Sequence, residues 1–130
     1  MVDFWPAAKP AVKTAITALD AEYACRVSDR MPKTRPAQAI LVSQIDASIP
    51  NPAQSVHRLL IECWADPYSL NVEEWANGVA ATMANLRGKT IDGVFIFGWS
   101  NQHGPVFFPD PDVTDMDRWQ LHGDFTLSTK

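Results

Sequence analysis

The chain has 130 residues, with 46% hydrophobic and 20% charged side chains and a net charge of −4. That composition suits one globular domain spanning 1–130 and excludes a disordered chain or a two-domain protein. No apolar run reaches membrane-spanning length, and the acidic balance argues against general affinity for nucleic acid.

Residues 1–6 lack the basic-then-apolar pattern of a secretion signal, so folding in a cytoplasm is expected. Ala8, Val12, Ala15, Ile16 and Leu19 form a helical stripe, predicting a helix that ends near Asp20 with Pro10 in its first turn. Tyr23, Cys25 and Val27 alternate with Ala24, Arg26 and Ser28, predicting a strand over 22–29. Residues 30–36 read as a loop with three cations, Arg30, Lys33 and Arg35. The nearly continuous apolar run Ala39, Ile40, Leu41, Val42 predicts a strand over 37–46 with both faces covered. Pro50 and Pro52 mark 47–54 as a connection.

Residues 55–89 form the organising segment. Leu59, Ile61, Cys63 and Ala65 share one face of a strand over 56–65, with Glu62 on the other. Asp66, Pro67 and Tyr68 break that strand. Asn71 is placed to cap a helix over 72–86, with Glu73 and Glu74 in its first turn, where the helix dipole favours carboxylates. Val72, Trp75, Ala76, Val79, Ala80, Met83 and Leu86 make its apolar stripe, and Gly88 stops it.

A fourth strand is predicted over 91–100, with Val94, Ile96 and Gly98 on one face and Phe95, Phe97 and Trp99 on the other. Residues 101–104 read as a turn, 105–108 as a strand end or edge, and 109–117 as an acidic loop. Residues 118–128 alternate strictly, so Trp119, Leu121, Gly123, Phe125 and Leu127 face a core and Arg118, Gln120, His122, Asp124 and Thr126 face out. The pattern predicts an α+β fold, a single mixed or antiparallel sheet of about four to five strands with two helices packed on one face.

Catalytic signatures are missing from this pattern. His57, His103, His122, Cys25 and Cys63 show no metal-ligand spacing, so surface histidines and buried reduced thiols are expected, with no metal or cofactor. Asp110, Asp112, Asp115 and Asp117 lack the glycine and glutamate of an EF-hand loop and read as a solvated acidic segment. No G-x-S-x-G, glycine-rich phosphate loop or H-E-x-x-H occurs, so the expectation is a non-enzyme. Charge is unevenly spread: residues 1–36 net +2 and the remainder net −6, with poles at Arg26–Arg35 and Asp110–Asp117.

The order of motifs resembles the tail terminator (minor tail, head–tail joining) proteins of long-tailed bacteriophages, of the type common in phages of actinobacteria. The matching residues are Arg26-Val27, Arg30-Met31-Pro32 with Arg35-Pro36, Ile61-Glu62-Cys63-Trp64-Ala65, the Ala-rich helix 72–86, Gly104-Pro105-Val106, Pro109-Asp110-Pro111-Asp112 and Arg118-Trp119-Gln120-Leu121. They run over nearly the whole chain in the same order and at similar spacing. The resemblance implies a virion protein assembled in the host cytoplasm. It implies a homo-hexameric ring that caps the tail tube, ends its polymerisation and meets the head-completion or connector protein, while DNA passes through the lumen unbound.

Cyclic rings use heterologous contacts. Arg26, Arg30, Lys33 and Arg35 on one subunit and Asp110, Asp112, Asp115 and Asp117 on another are therefore the expected subunit or partner contacts, screened by salt. Lining of the lumen is the other use open to the acidic loop. Two alternatives from other classes are a small hydrolase or ligand-binding domain with a pocket between the Trp75 helix and the sheet, and an adaptor protein unrelated to virions.

Overall fold

A computed structural model describes residues 8–23, 26–31 and 36–128. Its elements are α1 (Ala8–Tyr23), β1 (Arg26–Ser28), β2 (Gln38–Asn51), β3 (Gln54–Ala65), α2 (Val72–Ala84), β4 (Thr90–Ile91), β5 (Val94–Phe107) and β6 (Asp117–Ser128). The strands make one six-stranded sheet in the order β1-β2-β3-β6-β5-β4. β1 runs parallel to β2, and the other neighbouring pairs are antiparallel. The α+β architecture with one mixed sheet is as expected; the strand count is six instead of four to five.

Both helices lie on one face. Ala11, Ala15 and Leu19 of α1 and Ala76, Val79 and Met83 of α2 bury against Ile40, Val42, Leu59, Ile61, Cys63, Leu121 and Phe125. These sheet residues alternate along their strands, as one face requires. A smaller cluster sits on the opposite face, where Ala39, Leu41, Trp64 and Met116 pack together with Met31 and Val113 against them. Both faces of the 39–42 run are thus covered, the reason it lacks polar alternation. α2 is capped as its sequence predicts: Asn71 Oδ1 accepts from the Glu74 amide at 3.2 Å.

The differences from the sequence reading have local causes. α1 continues past Asp20 to Tyr23. There the Tyr23 ring meets Trp75 edge-on at 6.4 Å, and its hydroxyl lies 3.2 Å from Thr82 Oγ1. Packing onto α2 therefore takes Tyr23 from the strand predicted over 22–29 and leaves only β1. Residues 47–51 are strand, not connection. β1 flanks β2 only at residues 39–41, so the missing amide of Pro50 removes no ladder bond on the open side. Asn51 closes the hairpin, its Oδ1 accepting from the Ala53 amide at 2.9 Å.

The strand predicted over 91–100 is divided by Asp92 and Gly93, both at positive φ (52° and 77°), a two-residue hairpin turn between β4 and β5. The turn predicted at 101–104 is instead absorbed into β5. Two register shifts, between Ser100 and His103 and between His103 and Val106, take up the extra residues. A third, between Ile96 and Gly98, rotates Trp99 onto the helix side, where its ring stands 6.2 Å from Phe125. That shift separates Trp99 from Phe95 and Phe97, which remain exposed.

Candidate functional site

The side of the sheet away from the helices carries most of the polar organisation. Arg118, near the start of β6, is its hub. Its Nη1 lies 3.3 Å from Glu62 Oε2, and its Nε donates to the Phe108 carbonyl at 2.7 Å. The guanidinium carbon is 5.0 Å from the Trp64 ring centroid and 5.0 Å from that of Phe108. A planar, weakly hydrated cation suits this slot between two aromatic faces. Burial pushes the Glu62 carboxyl above its ordinary value, opposed by Arg118, and the charge of Asp110 adds to the rise.

The acidic loop is anchored at that hub. The Phe108 amide donates to the Arg118 carbonyl at 2.9 Å, returning the side-chain bond from Arg118 Nε, and Val113 and Met116 dip into the small cluster beside Trp64. Asp110 shapes the turn: its Oδ1 accepts from the Asp112 amide at 2.9 Å and its carbonyl accepts from the Val113 amide at 3.0 Å. Asp112 and Asp115 are exposed, Asp110 is half-buried, and Asp117 opens β6 opposite Ala65.

The described end of the basic segment, at Met31, reaches the same place. Met31 packs on the cluster that holds Val113 and Met116. Arg30 is exposed and lies 3.8 Å from Asp29, a neighbour in sequence. Arg26 begins β1 opposite Ala39, and Lys33 and Arg35 lie outside the described residues. The 30–31 segment and the acidic loop thus flank one apolar patch of one subunit, at the end of the sheet where β2 starts and β3 ends. Among the described residues, no group of three or more His, Cys, Asp or Glu side chains could hold a metal ion.

Further along this face Arg58 pairs with Asp124 at 3.1 Å, and Asn101 donates to the other Asp124 oxygen at 2.9 Å. The Asn101 hydrogen bond is the largest single influence holding the Asp124 carboxyl below its usual value, and Arg58 adds a hydrogen bond and its charge. Arg58 and Asp124 line a shallow open depression with Asp46, Ala47, Ser48 and Val56. His103 and His122 stack at 4.8 Å across β5 and β6.

His57 is not the surface histidine its isolation in sequence suggests. It is 3% exposed, with Nδ1 2.7 Å from Gln44 Oε1 and Nε2 2.8 Å from Ser55 Oγ. Burial lowers its pKa. Its place on the Leu59–Ile61 face of β3 was the available signal, since a period of two puts residue 57 on the buried side. The region proposed for a ligand, beneath Trp75, is occupied by core: Val72, Ala76, Val79 and Met83 are buried there. Cys63 is buried too, and Cys25 lies outside the described residues.

Exposed apolar groups border the sheet. Ile45 and Ile49 on β2, Phe95 and Phe97 at the start of β5, and Val106, Phe107 and Phe108 at its end are all well exposed. Clustered exposed apolar groups of this kind mark contact surfaces more often than isolated ones do.

The fold is shared with a chain in a solved structure described as the virion of a native gene transfer agent particle. The likeness has a TM-score of 0.60 at 17% identity and covers 92% of this chain and 93% of that one. No protein-family model matches the chain, and no curated protein matches it. No described helix is long and apolar enough to cross a membrane.

Proposed function

We propose that this chain is a structural subunit of a phage-type particle and acts as a tail terminator. In that role it closes into a ring on the tail tube, ends tube growth and presents a face to the head-completion or connector protein. The observation that carries this reading is the end-to-end likeness of fold to a chain of a gene transfer agent virion, covering more than nine-tenths of both chains. The motif order from Arg26 to Leu121 supports it independently. A non-enzymatic role is part of the proposal, and so is location in the virion.

In a ring whose sheets stand along the axis, strand edges meet lateral neighbours and strand ends meet axial ones. The described part of the basic stretch, residues 26–31, and the acidic 110–117 loop gather near one end of the sheet. Their charges then suit contact with the tube or the connector better than pairing between adjacent subunits. DNA would cross the lumen without specific contacts.

The test is solution mass by light scattering at low and high salt, with negative-stain images of the same fractions. A closed ring near six subunits is the expected species. A monomer or two-fold dimer at every salt and concentration counts against the reading. With the ring in hand, Asp110→Asn with Asp112→Asn should leave its mass unchanged and weaken its capture by assembled tail tube.

A further inference from the structure

Among the described residues, the two outer borders of the sheet are open over most of their length. β1 flanks β2 only at residues 39–41, leaving 42–51 without a neighbouring strand among the described residues. On the far side β4 flanks β5 only at residues 94–95. The next residue, Ile96, donates to the Lys89 carbonyl and accepts from the Gly88 amide. Residues 98–107 are then open among the described residues. Long open borders with apolar side chains are templates for pairing, and soluble proteins ordinarily cover or charge them.

We propose that the open border of β2 in one copy of this chain lies against the open border of β5 in the next copy, so that the sheet continues from subunit to subunit. The proposal deepens the ring reading above and rests on it. Three observations select this partner and this pairing.

The first is height and direction. Asp46, Arg58, Asp124 and Ser100 stand in one row across the sheet. Ala47, His57, Phe125 and Trp99 stand in the next, and Ser48, Val56, Thr126 and Gly98 in the one after. The open parts of β2 and β5 therefore lie at the same level. Three successive antiparallel steps also make β2 antiparallel to β5. A second copy moved sideways thus presents β5 to β2 in antiparallel sense with no axial offset, which a closed ring requires and an open helix does not. The bulge between Gln44 and Asp46 and that between Ser100 and His103 fall in the same interval of rows, so the two borders bend together.

The second is apolar matching. Ile45 is 53% and Ile49 69% exposed on β2. Near the level of Ile49, β5 carries Phe95 and Phe97, packed edge to face at 5.0 Å and still open to solvent. Aromatic against β-branched side chains is a favourable cross-strand pairing.

The third is charge. The 38–51 strand carries a single charge, Asp46. The 93–107 stretch carries no acid, and beside it Arg87 and Lys89 are exposed, with Arg87 Cγ 4.0 Å from where a Gly98 Cβ would stand. Pairing β2 with β2 about a two-fold axis would oppose Asp46 to Asp46 near the middle of the border, and like charges directly opposite are destabilising.

The experiment compares wild type with Ile45→Lys/Ile49→Lys, with Phe97→Lys, and with Glu73→Lys on exposed α2 as control. Mass is read by light scattering and folding by circular dichroism. A second readout is oxidation of an Ile49→Cys/Phe97→Cys variant, which needs no loss of stability. The expected result is a ring for wild type and Glu73→Lys, folded monomers for both border variants, and a disulfide ladder up to the ring number for the double cysteine. Neither single cysteine should extend beyond a dimer. Border variants that keep the ring mass, or an intact ring that yields no ladder, overturn the border pairing and leave the terminator reading standing. A wild type that is monomeric under every condition overturns the ring and the pairing together.

Discussion

Glu62 and Arg118 face each other across β3 and β6 at 3.3 Å, with side chains only 18% and 16% exposed. Their rows differ by two: Glu62 is paired with Gln120 and Arg118 with Trp64. Arg118 thus spans diagonally to the carboxylate while lying between the Trp64 and Phe108 rings. One side chain links the sheet, the small cluster and the base of the acidic loop.

Removing that cation leaves a half-buried carboxylate without its partner. Arg118→Leu should destabilise the fold by about 2 kcal/mol, below the range for fully buried pairs because water still reaches both groups. Urea unfolding measures it. Glu62→Gln should be milder, since its amide can still accept from Arg118. Equal losses in the two variants would deny Arg118 the additional role of holding Phe108 and the loop.

The same pair has a pH signature. The folded-state pKa of Glu62 is raised, chiefly by burial, so its ionised form is penalised in the fold. That penalty is present above the folded pKa and is relieved as pH falls through it towards the unfolded value of 4.5. The stability of Glu62→Gln relative to wild type should therefore be higher at neutral pH than near pH 4.5. A wild-type-minus-variant difference that stays flat across this interval would remove burial as the dominant influence.

His57 titrates with the opposite consequence. Burial lowers its folded pKa below 6.5. Neutral His57 contributes stability above pH 6.5, and that contribution is lost as the unfolded chain protonates below 6.5 and pH falls towards the folded value. Thermal melts of wild type and His57→Gln between pH 7.5 and 5 should diverge, with the wild type falling faster. Parallel curves would mean that the Gln44–His57–Ser55 chain carries no proton-linked stability.

Asp124 offers a test of cause. Asn101, one of two non-glycine residues at positive φ among the described residues, supplies through its hydrogen bond the largest single influence lowering the Asp124 pKa. In an NMR titration Asn101→Ala should bring the Asp124 carboxyl up further than Arg58→Ala does. The reverse order would make the ion pair dominant. For either variant the stability at risk is that present above the ordinary value of 3.8 and lost as pH falls.

The amphipathic elements were legible because their burial follows a single period. α2 and β6 match their patterns residue by residue, Gly123 and Phe125 inward and Asp124 and Thr126 outward. Residues 47–51 were not, because Pro50 signals a break unless one knows that this border of β2 is open, a fact of topology. β5 departs from its sequence pattern for the same kind of reason. Asn101 and Gly104 have turn chemistry, φ +53° and +89°, and the fold spends it on bulges within a strand. The charged poles could be read, but not their convergence, since Met31 and Met116 are 85 residues apart in the chain and meet only in the second cluster. His57 escaped because a lone polar residue gives no sign of its partners.

Gly123 and Trp99 provide the most direct test of the described packing. A Cβ at Gly123 would stand 2.5 Å from Trp99 Cζ2, and the ring is pinned by its own Nε1 donating to Gln102 Oε1 at 2.8 Å. Nothing at that distance can be accommodated without moving the indole off Phe125. Gly123→Ala should therefore destabilise by about 2 kcal/mol, an over-packing loss, and shift Trp99 fluorescence. In the Trp99→Leu background the same alanine has room, so its effect should shrink by more than half. This non-additivity of contacting residues is the quantity that a double-mutant cycle reads. Additive losses would mean that Trp99 does not lie over Gly123, and with that the register shift between Ile96 and Gly98 that turns Trp99 to the helix side would lose its main support.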